Sequence, residues 1–230
     1  MEDERELTEA PPRASGGSRA AVYSIAAVAV LLVGAAIGML LTLGVVRPES
    51  VPDDGSVDVG FTQDMRVHHL QAITMAGQAR DRSTDEAVRG LAFDIESTQL
   101  DQSGRLAAWL AVWDQPELPP PGEPHMRWMP SDAGHHNQGG AGVARMPGMA
   151  STEELAKLRS LSGPELDVYF LQLMLRHHQG GLEMARFAAG NAQTSYVRTL
   201  AEKIAAGQDA ETLVMRKMLA DRGAQPLPFP

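Results

Sequence analysis

The chain has 230 residues and a mass of 24.7 kDa, which suits one globular domain with an additional segment. Its formal net charge of -9 leaves no basic surface to neutralise phosphates, so we expect no nucleic-acid partner. The lack of cysteine in the sequence excludes disulfides, thiolate metal sites and a thiol nucleophile.

The first predicted element is a transmembrane helix over residues 20–46, a stretch without any charged residue. A bilayer core needs about 20 apolar helical residues, and this run is too long for the apolar part of a cleaved signal peptide. Three arginines precede the run and only Arg47 closely follows it, so the positive-inside rule predicts a cytoplasmic tail over residues 1–19. We therefore expect a single-pass cell-membrane protein, anchored in the lipid bilayer, with its main domain outside. Gly34 and Gly38 form a small-xxx-small pair, which leaves homo-oligomer formation open.

The remainder of the sequence contains one module twice. Without gaps, residues 61–110 align with residues 170–219 and share 15 identities in 50 positions, against roughly three or four expected by chance. In each copy, apolar residues recur at three- and four-residue steps in two segments that a turn separates. Each copy is therefore predicted to be a helical hairpin, and a lone hairpin cannot cover its own apolar stripe.

The predicted architecture is all-α: a four-helix bundle made of two homologous helical hairpins, plus the N-terminal transmembrane helix. We predict the hairpins over residues 61–114 and 164–221. A linker over residues 47–60 precedes them, a connector over residues 115–163 joins them, and residues 222–230 form a tail.

The connector is rich in Pro, Gly, Met and His. Its residues 151–154, Ser-Thr-Glu-Glu, predict the start of a short helix. Seven of the nineteen Met and His residues of the chain fall within residues 125–149, where uniform scatter gives about two. This concentration favours a flexible metal-capture loop, although His135 and His136 also suit a plain solvated loop.

The string Met-x-x-His-His, followed by Met-Ala, is the feature of each copy that carries chemistry. The two strings contain Met65, His68, His69 and Met75 in the first copy and Met174, His177, His178 and Met184 in the second. Spacings of three, four and seven place these side chains on one helical face, where they can approach one ion together. Thioether sulfur selects Cu(I) and imidazole suits copper in both oxidation states, so the donors favour copper, with Cu(I) preferred. The competing interpretation is core packing by Met and a polar network among the histidines.

A polar interruption breaks the apolar stripe in the second helix of each copy. In the second copy it is Gln208, followed by Glu211 and Met215, and in the first copy it is Gln99, followed by Gln102 and Leu106. These side chains either face the interior that holds the histidines or lie at the edge of the stripe. If there is a site, the C-terminal half has the fuller set of donors.

These residues, with the connector run Met146-Pro-Gly-Met149-Ala-Ser-Thr-Glu-Glu-Leu, resemble the domain-of-unknown-function family 305 over residues 55–221. The resemblance implies a ferritin-like fold, secretion or anchoring and, as in some relatives, copper binding linked to copper tolerance. It also implies a ligand role for the eight Met and His of the two strings and for Glu211 and Met215, which match the family's Gln-x2-Glu-x3-Met. The first copy departs from that pattern at its second and third positions.

We therefore predict a membrane-anchored extracytoplasmic protein that binds copper through Met and His side chains, for sequestration or hand-over, and is not an enzyme. No Glu-x-x-His occurs in the sequence, which argues against a di-iron carboxylate bundle, and there is no phosphate loop or Gly-x-Ser-x-Gly. The alternatives are a non-catalytic envelope structural or interaction module with no bound metal, and an envelope oxidoreductase that uses a metal in the bundle.

Overall fold

The computed structural model describes residues 17–45, 51–130 and 141–229. Regular structure in these residues is helical, apart from one isolated bridge between His125 and Val143. The helices of the described residues are α1 (Gly17–Val45), α2 (Val57–Arg82), α3 (Glu86–Val112), α4 (Thr152–Ser160), α5 (Gly163–Asn191) and α6 (Ser195–Asp221). The predicted all-α class is confirmed.

The chain divides into two compact units, and the first of them, residues 1–49, is described over the single helix α1. This helix contains a stretch, Arg19–Leu43, that is long and apolar enough to cross a bilayer. A signal sequence near the N-terminus satisfies the same test of length and composition. The predicted transmembrane segment over residues 20–46 coincides with α1 apart from its ends, whereas most of the predicted tail over residues 1–19 lies outside the described residues.

Four helices of the second unit, α2 to α5, begin either at a residue whose side chain accepts hydrogen bonds from free backbone amides or at a proline, which has no amide hydrogen. The Ser56 hydroxyl accepts a hydrogen bond from an amide in the first turn of α2, and the Asp85 carboxylate accepts from two amides in the first turn of α3. Ser151 and Glu154 form a reciprocal capping box at the start of α4. Pro164 lies in the first turn of α5, where a missing amide costs no helical hydrogen bond.

The helix ends recur with the 109-residue offset of the sequence repeat. The C-terminal residues of α2 and α5 are 109 residues apart, and α3 and α6 begin and end with the same separation. One tertiary hydrogen bond recurs as well. Gln63 Nε2 donates to the Pro116 carbonyl over 3.0 Å, and Gln172 Nε2 donates to the Gln225 carbonyl over 2.7 Å. Equivalent local structure therefore accompanies the repeated sequence in both hairpins.

The two hairpins pack against each other through α2 and α5. These helices run in opposite directions, because residues early in α2 are buried with residues late in α5, and the reverse. Two buried clusters result, each named here after one methionine. The Met65 cluster includes Met65, Leu106, Met129, Met146 and Met184. The Met75 cluster includes Met75, Met174, Met215, Met218 and Phe170. Burying a side chain of this size stabilises the fold by roughly 1.5–3 kcal/mol.

A buried aspartate ties the first hairpin to the second. Asp58, in the first turn of α2, is fully buried. Its carboxylate accepts hydrogen bonds from the Gln193 amide over 2.7 Å, the Thr194 amide over 2.9 Å and the Thr194 hydroxyl over 2.6 Å. Because these donors lie in the turn that precedes α6, the contact fixes the start of one hairpin against the turn of the other.

The described ends of the connector pack onto the bundle instead of forming a free loop. The buried Asp64 carboxylate of α2 accepts hydrogen bonds from His125 Nδ1 over 2.6 Å, the Met126 amide over 2.7 Å and Trp128 Nε1 over 2.8 Å. The Trp128 ring lies so close to Gly60 that a Cβ there would be 2.4 Å from the indole. The sequence pattern favoured a flexible capture loop, but the buried Asp64 carboxylate, with its three hydrogen-bond donors, holds residues 125–128 in place. Residues 131–140, which include His135 and His136 of that loop, lie outside the described residues.

Candidate metal centre

The middle of the α2–α5 interface is a pair of histidine rings. His68 of α2 and His177 of α5 are fully buried, and their ring centroids lie 3.6 Å apart with 33° between the ring planes. None of their four ring nitrogens forms a hydrogen bond of good geometry among the described residues, although the Pro147 carbonyl lies near the His68 ring and partly offsets the lowering of its pKa. A buried polar group without a partner costs about 1–3 kcal/mol. Packing alone therefore gives no reason for two imidazoles at this position.

The adjacent histidines contact polar side chains on the second helix of their own hairpin. His69 Nε2 lies 2.7 Å from Gln102 Oε1, and His178 Nε2 lies 2.5 Å from Glu211 Oε2. The two contacts occupy equivalent positions in the repeat, with an amide in one half and a carboxylate in the other. In each contact Nε2 donates a hydrogen bond to the oxygen, so a neutral ring in this position has its lone pair on Nδ1. Neither Nδ1 has a hydrogen-bond partner within the described part of the chain.

Three of these four histidines have lowered pKa values. Burial lowers the pKa of His68 well below its usual value, and the imidazoles of His69 and His178 lower it further. Burial followed by the neighbouring imidazoles does the same to the pKa of His177. Burial lowers the pKa of His69 to about 3, although its hydrogen bond with Gln102 acts in the opposite direction. The three rings are therefore neutral at pH 7, which is the form in which imidazole binds metals.

Two buried amides complete the polar interior. Gln99 and Gln208 are each 3% exposed, and neither the amide nitrogen nor the amide oxygen of either has a partner among the described residues. The sequence left open whether these side chains face the interior or the edge of the stripe, and the structure places them inside. A Cβ added at Gly181 of α5 would lie 2.7 Å from Gln208 Oε1 and 2.9 Å from His68 Cε1. The Gln208 amide and the His68 ring thus approach the α5 backbone at one point.

Gly181→Ala should disturb the centre without removing any proposed ligand. The new methyl group would displace the His68 ring and the Gln208 amide, and overpacking of a buried site typically costs about 1–3 kcal/mol. Urea denaturation followed by tryptophan fluorescence would measure the loss. The matched control is Gly207→Ala on α6, where a Cβ has no neighbour within 4 Å, so helix propensity should stabilise the protein by up to about 1 kcal/mol. Equal stabilities for the two variants would contradict the close approach at Gly181.

The predicted ligands separate into three groups in the structure. The four histidines lie at the centre, and Glu211, whose side chain is 23% exposed, contacts one of them. The five predicted methionines are all fully buried. They divide between the Met65 cluster, with Met65 and Met184, and the Met75 cluster, with Met75, Met174 and Met215. The thioethers therefore lie on two sides of the histidine pair along α2 and α5, and not in one group.

Within the described residues, no three His, Asp or Glu side chains are grouped as a metal site made only of these residue types would require. Convergence of thioether and imidazole on one ion thus stays a prediction. The contact of His69 with Gln102 was not predicted from the sequence, which placed Gln102 in the polar interruption of the stripe and marked it as a departure from the family's Glu. Its spacing offered the means to find it: Gln102 follows His69 by 33 residues, as Glu211 follows His178.

The sequence of residues 58–219 matches the family described as Domain of unknown function (DUF305). A DUF305 protein from Streptomyces coelicolor has a similar crystal structure, with 39% identity, 76% of this chain and 99% of that chain covered, and a TM-score of 0.68. A DUF305 fragment from Deinococcus radiodurans is 35% identical over 72% of this chain and 96% of its own length, with a TM-score of 0.57. Among curated proteins, none matches this chain.

The fold is also similar to that of CopM, whose structure has been solved in Cu(I)-bound and Cu(II)-bound forms. The Cu(I)-bound form is 21% identical, covers 71% of this chain and 96% of its own length, and has a TM-score of 0.54. The Cu(II)-bound form is 24% identical with the same coverage and a TM-score of 0.53. At this level of identity the likeness extends to the fold alone.

Proposed function

This chain belongs to the DUF305 family, and from the chemistry of its histidine centre we propose that it binds copper, preferentially as Cu(I), through imidazole and thioether side chains. The observation that carries the proposal is the buried pair His68 and His177, whose ring nitrogens form no hydrogen bond of good geometry among the described residues. A metal ion would supply the partner that the protein does not. CopM, which has a similar fold, binds copper in both oxidation states.

The available donors support copper over other metals. Neutral imidazole is a ligand for copper and zinc alike, whereas thioether sulfur selects soft Cu(I). The buried clusters on both sides of the histidine pair contain all five predicted methionine ligands, and no cysteine competes for the ion because the sequence has none. Glu211, held against His178, adds a carboxylate that would orient the imidazole and increase its basicity as a ligand.

The proposed role is sequestration or hand-over of copper at the outer side of a membrane. We propose that α1 is an uncleaved anchor with its N-terminal side in the cytoplasm, because the apolar stretch spans 25 residues and arginines concentrate before it. No catalytic family is indicated by the comparisons, so binding, and not catalysis, is the proposed activity.

A titration of the metal-free, full-length protein in detergent micelles with Cu(I) tests the proposal. Competition with a chromophoric Cu(I) chelator gives the affinity, and X-ray absorption at the copper edge identifies the donors. We expect sulfur and nitrogen in the copper coordination shell, together with shifted histidine-ring NMR signals. Zn(II) is the control ion, and it should bind more weakly because thioether is a poor zinc ligand. Unchanged ring signals on adding Cu(I) would overturn the proposal.

The hydrogen bonds of His69 and His178 favour a second candidate, a structural module that holds no metal. In that case the histidines and their oxygen partners form a polar network that specifies how the helices pair. The two candidates differ in what they expect of His68 and His177. If the centre is a structural network, removing those rings lowers the stability of the protein. If it is a metal centre, removing them lowers the affinity for copper.

A further inference from the structure

The two halves of the centre differ in one buried thioether. Position 106 of α3 and position 215 of α6 are equivalent in the repeat, and both side chains are fully buried. The second half has Met215, which lies in the Met75 cluster with Met75 and Met174. The first half has Leu106, which lies in the Met65 cluster with Met65 and Met184. At this position the Met65 cluster therefore has an aliphatic side chain, Leu106, where the Met75 cluster has a thioether, Met215.

The connector places a methionine in that deficient cluster. Met146 is 2% exposed and belongs to the Met65 cluster with Leu106, Met65 and Met184. It opens a turn in which the Met149 amide donates to the Met146 carbonyl over 3.3 Å. Nothing in the local sequence requires a buried thioether at this turn. An aliphatic side chain would fill the same volume.

Two independent contacts fix this turn over the α2–α5 interface near the histidine pair. On the α2 side, Gln71 forms two hydrogen bonds with the backbone of Ala150, accepting from its amide over 2.7 Å and donating to its carbonyl over 3.0 Å. On the α5 side, a Cβ at Gly180 would lie 2.0 Å from the Pro147 carbonyl oxygen. Gly180 is the repeat counterpart of Gln71, so one half clamps the turn and the other makes room for it.

Gly148 reinforces the same approach. Its backbone has a φ of +78°, a conformation that side chains rarely tolerate, and a Cβ there would lie 2.4 Å from the Arg176 carbonyl oxygen and 3.1 Å from the Cα of His177. Glycine is therefore needed on both surfaces for the turn to lie against α5 at the residue that carries a central imidazole. These contacts hold the connector turn against α5 beside His177.

We propose that Met146 provides the thioether donor that the first half lacks at Leu106. Together with Met65 and Met184 it would form a second copper site, on the side of the histidine pair that the connector turn covers. This inference rests on the proposed copper-binding function and deepens it. With Met146, each side of the histidine pair has three proposed thioether ligands: Met75, Met174 and Met215 on one side, and Met65, Met184 and Met146 on the other. The clusters also bury Met218 and Met129, to which no ligand role is assigned. The chain should accordingly take up two Cu(I) ions, one on each side.

The test compares three nearly isosteric substitutions in the full-length protein. Met146→Leu should weaken one of two Cu(I) sites by about tenfold or more and remove one sulfur from the average copper shell. Met215→Leu should weaken the other site by a similar factor. Met218→Leu, a control in the Met75 cluster without a proposed ligand role, should weaken neither. Competition with a Cu(I) chelator measures the affinities, and X-ray absorption counts the sulfur neighbours.

A rescue variant separates a lost ligand from a disturbed fold. Leu106→Met, added to Met146→Leu, provides a thioether at the position equivalent to Met215 and should restore the weakened site. Far-ultraviolet circular dichroism of each variant in the metal-free form reports the fold. Two Cu(I) ions bound with equal affinity by Met146→Leu and wild type would overturn this inference alone. A wild-type protein that binds a single Cu(I) ion, with an affinity that only Met215→Leu lowers, would also overturn this inference alone. A wild type that binds no Cu(I) would overturn the proposed function itself.

Discussion

Replacing His68 and His177 together with leucine should reduce the affinity for Cu(I) by at least about a hundredfold and leave the metal-free protein no less stable than wild type. The affinity falls because two imidazole ligands are removed, each of which is worth at least about tenfold. Stability is retained because the exchanged rings are buried without hydrogen-bond partners among the described residues. Replacing both partners of a costly polar pair with apolar groups of similar volume is neutral or stabilising, by about 1–3 kcal/mol.

This result discriminates between the two candidate functions. A structural module that holds no metal predicts that the double variant unfolds at lower urea concentration, and that neither the variant nor the wild type binds Cu(I) specifically. His125→Leu provides the matched control, because His125 is a histidine with a satisfied partner, the buried Asp64. Its loss leaves Asp64 with two donors where it had three, so we expect about 1–3 kcal/mol of destabilisation and unchanged Cu(I) affinity. A double variant that is less stable than wild type and still binds Cu(I) tightly would contradict a metal role.

Acidification of the metal-free protein from pH 6.5 to pH 5 should lower its free energy of unfolding steeply. Unfolded histidines take up protons near pH 6.5, whereas His68, His69 and His177 stay neutral in the folded state because burial lowers their pKa values. The unfolded state then binds more protons, so stability falls as pH falls. The expected slope is about 1.4 kcal/mol per pH unit for each such histidine, and for His69 the window extends down to about pH 3.

Other groups change stability in different pH ranges. The Arg176 guanidinium lowers the pKa of the Glu154 carboxyl, so this contribution is lost only as pH falls below about 4.5. The hydrogen bond to Asp64 raises the pKa of His125, so its contribution is fully present below about pH 6.5 and is lost as pH rises through the raised value. The interval between pH 6.5 and 5 therefore isolates the buried histidines.

Urea denaturation at pH 7, 6 and 5 would measure this dependence. All three tryptophans of the chain lie in the second unit, so their fluorescence reports on the bundle and not on α1. The control is the variant with leucine at positions 68 and 177, whose slope should be shallower by about 2.8 kcal/mol per pH unit, because two histidines no longer contribute. A wild-type stability that is constant between pH 7 and pH 5 would contradict the proposed protonation states.

The fold class and the histidine centre were accessible from the sequence because both depend on periodicity. Apolar positions at three- and four-residue steps predict helices, and the doubled His-His string marks the interface, since both copies place it on their apolar face. The separation of the methionines into two clusters was not accessible. It follows from the antiparallel packing of α2 on α5, which brings Met65 to Met184 and not to Met174. Periodicity within one helix contains no information on that direction.

The connector illustrates a second limit. Pro, Gly, Met and His in irregular order predict a loop, and composition alone favoured a flexible one. Individual long-range hydrogen bonds hold its described ends in place. Asp64 accepts from Met126 and Trp128, and Gln71 accepts from Ala150. Such contacts join residues more than 60 positions apart and leave no periodic pattern. The glycines at 148 and 180, where the structure brings two backbones close together, were not singled out in the sequence.

The histidine pair joins two halves of the chain that meet mainly along α2 and α5. Residues 68 and 177 are far apart in sequence, so a copper ion bound by residues of both α2 and α5, as proposed, would act as a reversible cross-link that closes a long loop. Such a cross-link tightens with the concentration of free metal, because an ion that binds only the folded state stabilises it by mass action. Binding of copper should thus make the protein harder to unfold and harder to digest with proteases. Removal of the ion by a stronger chelator should reverse both effects.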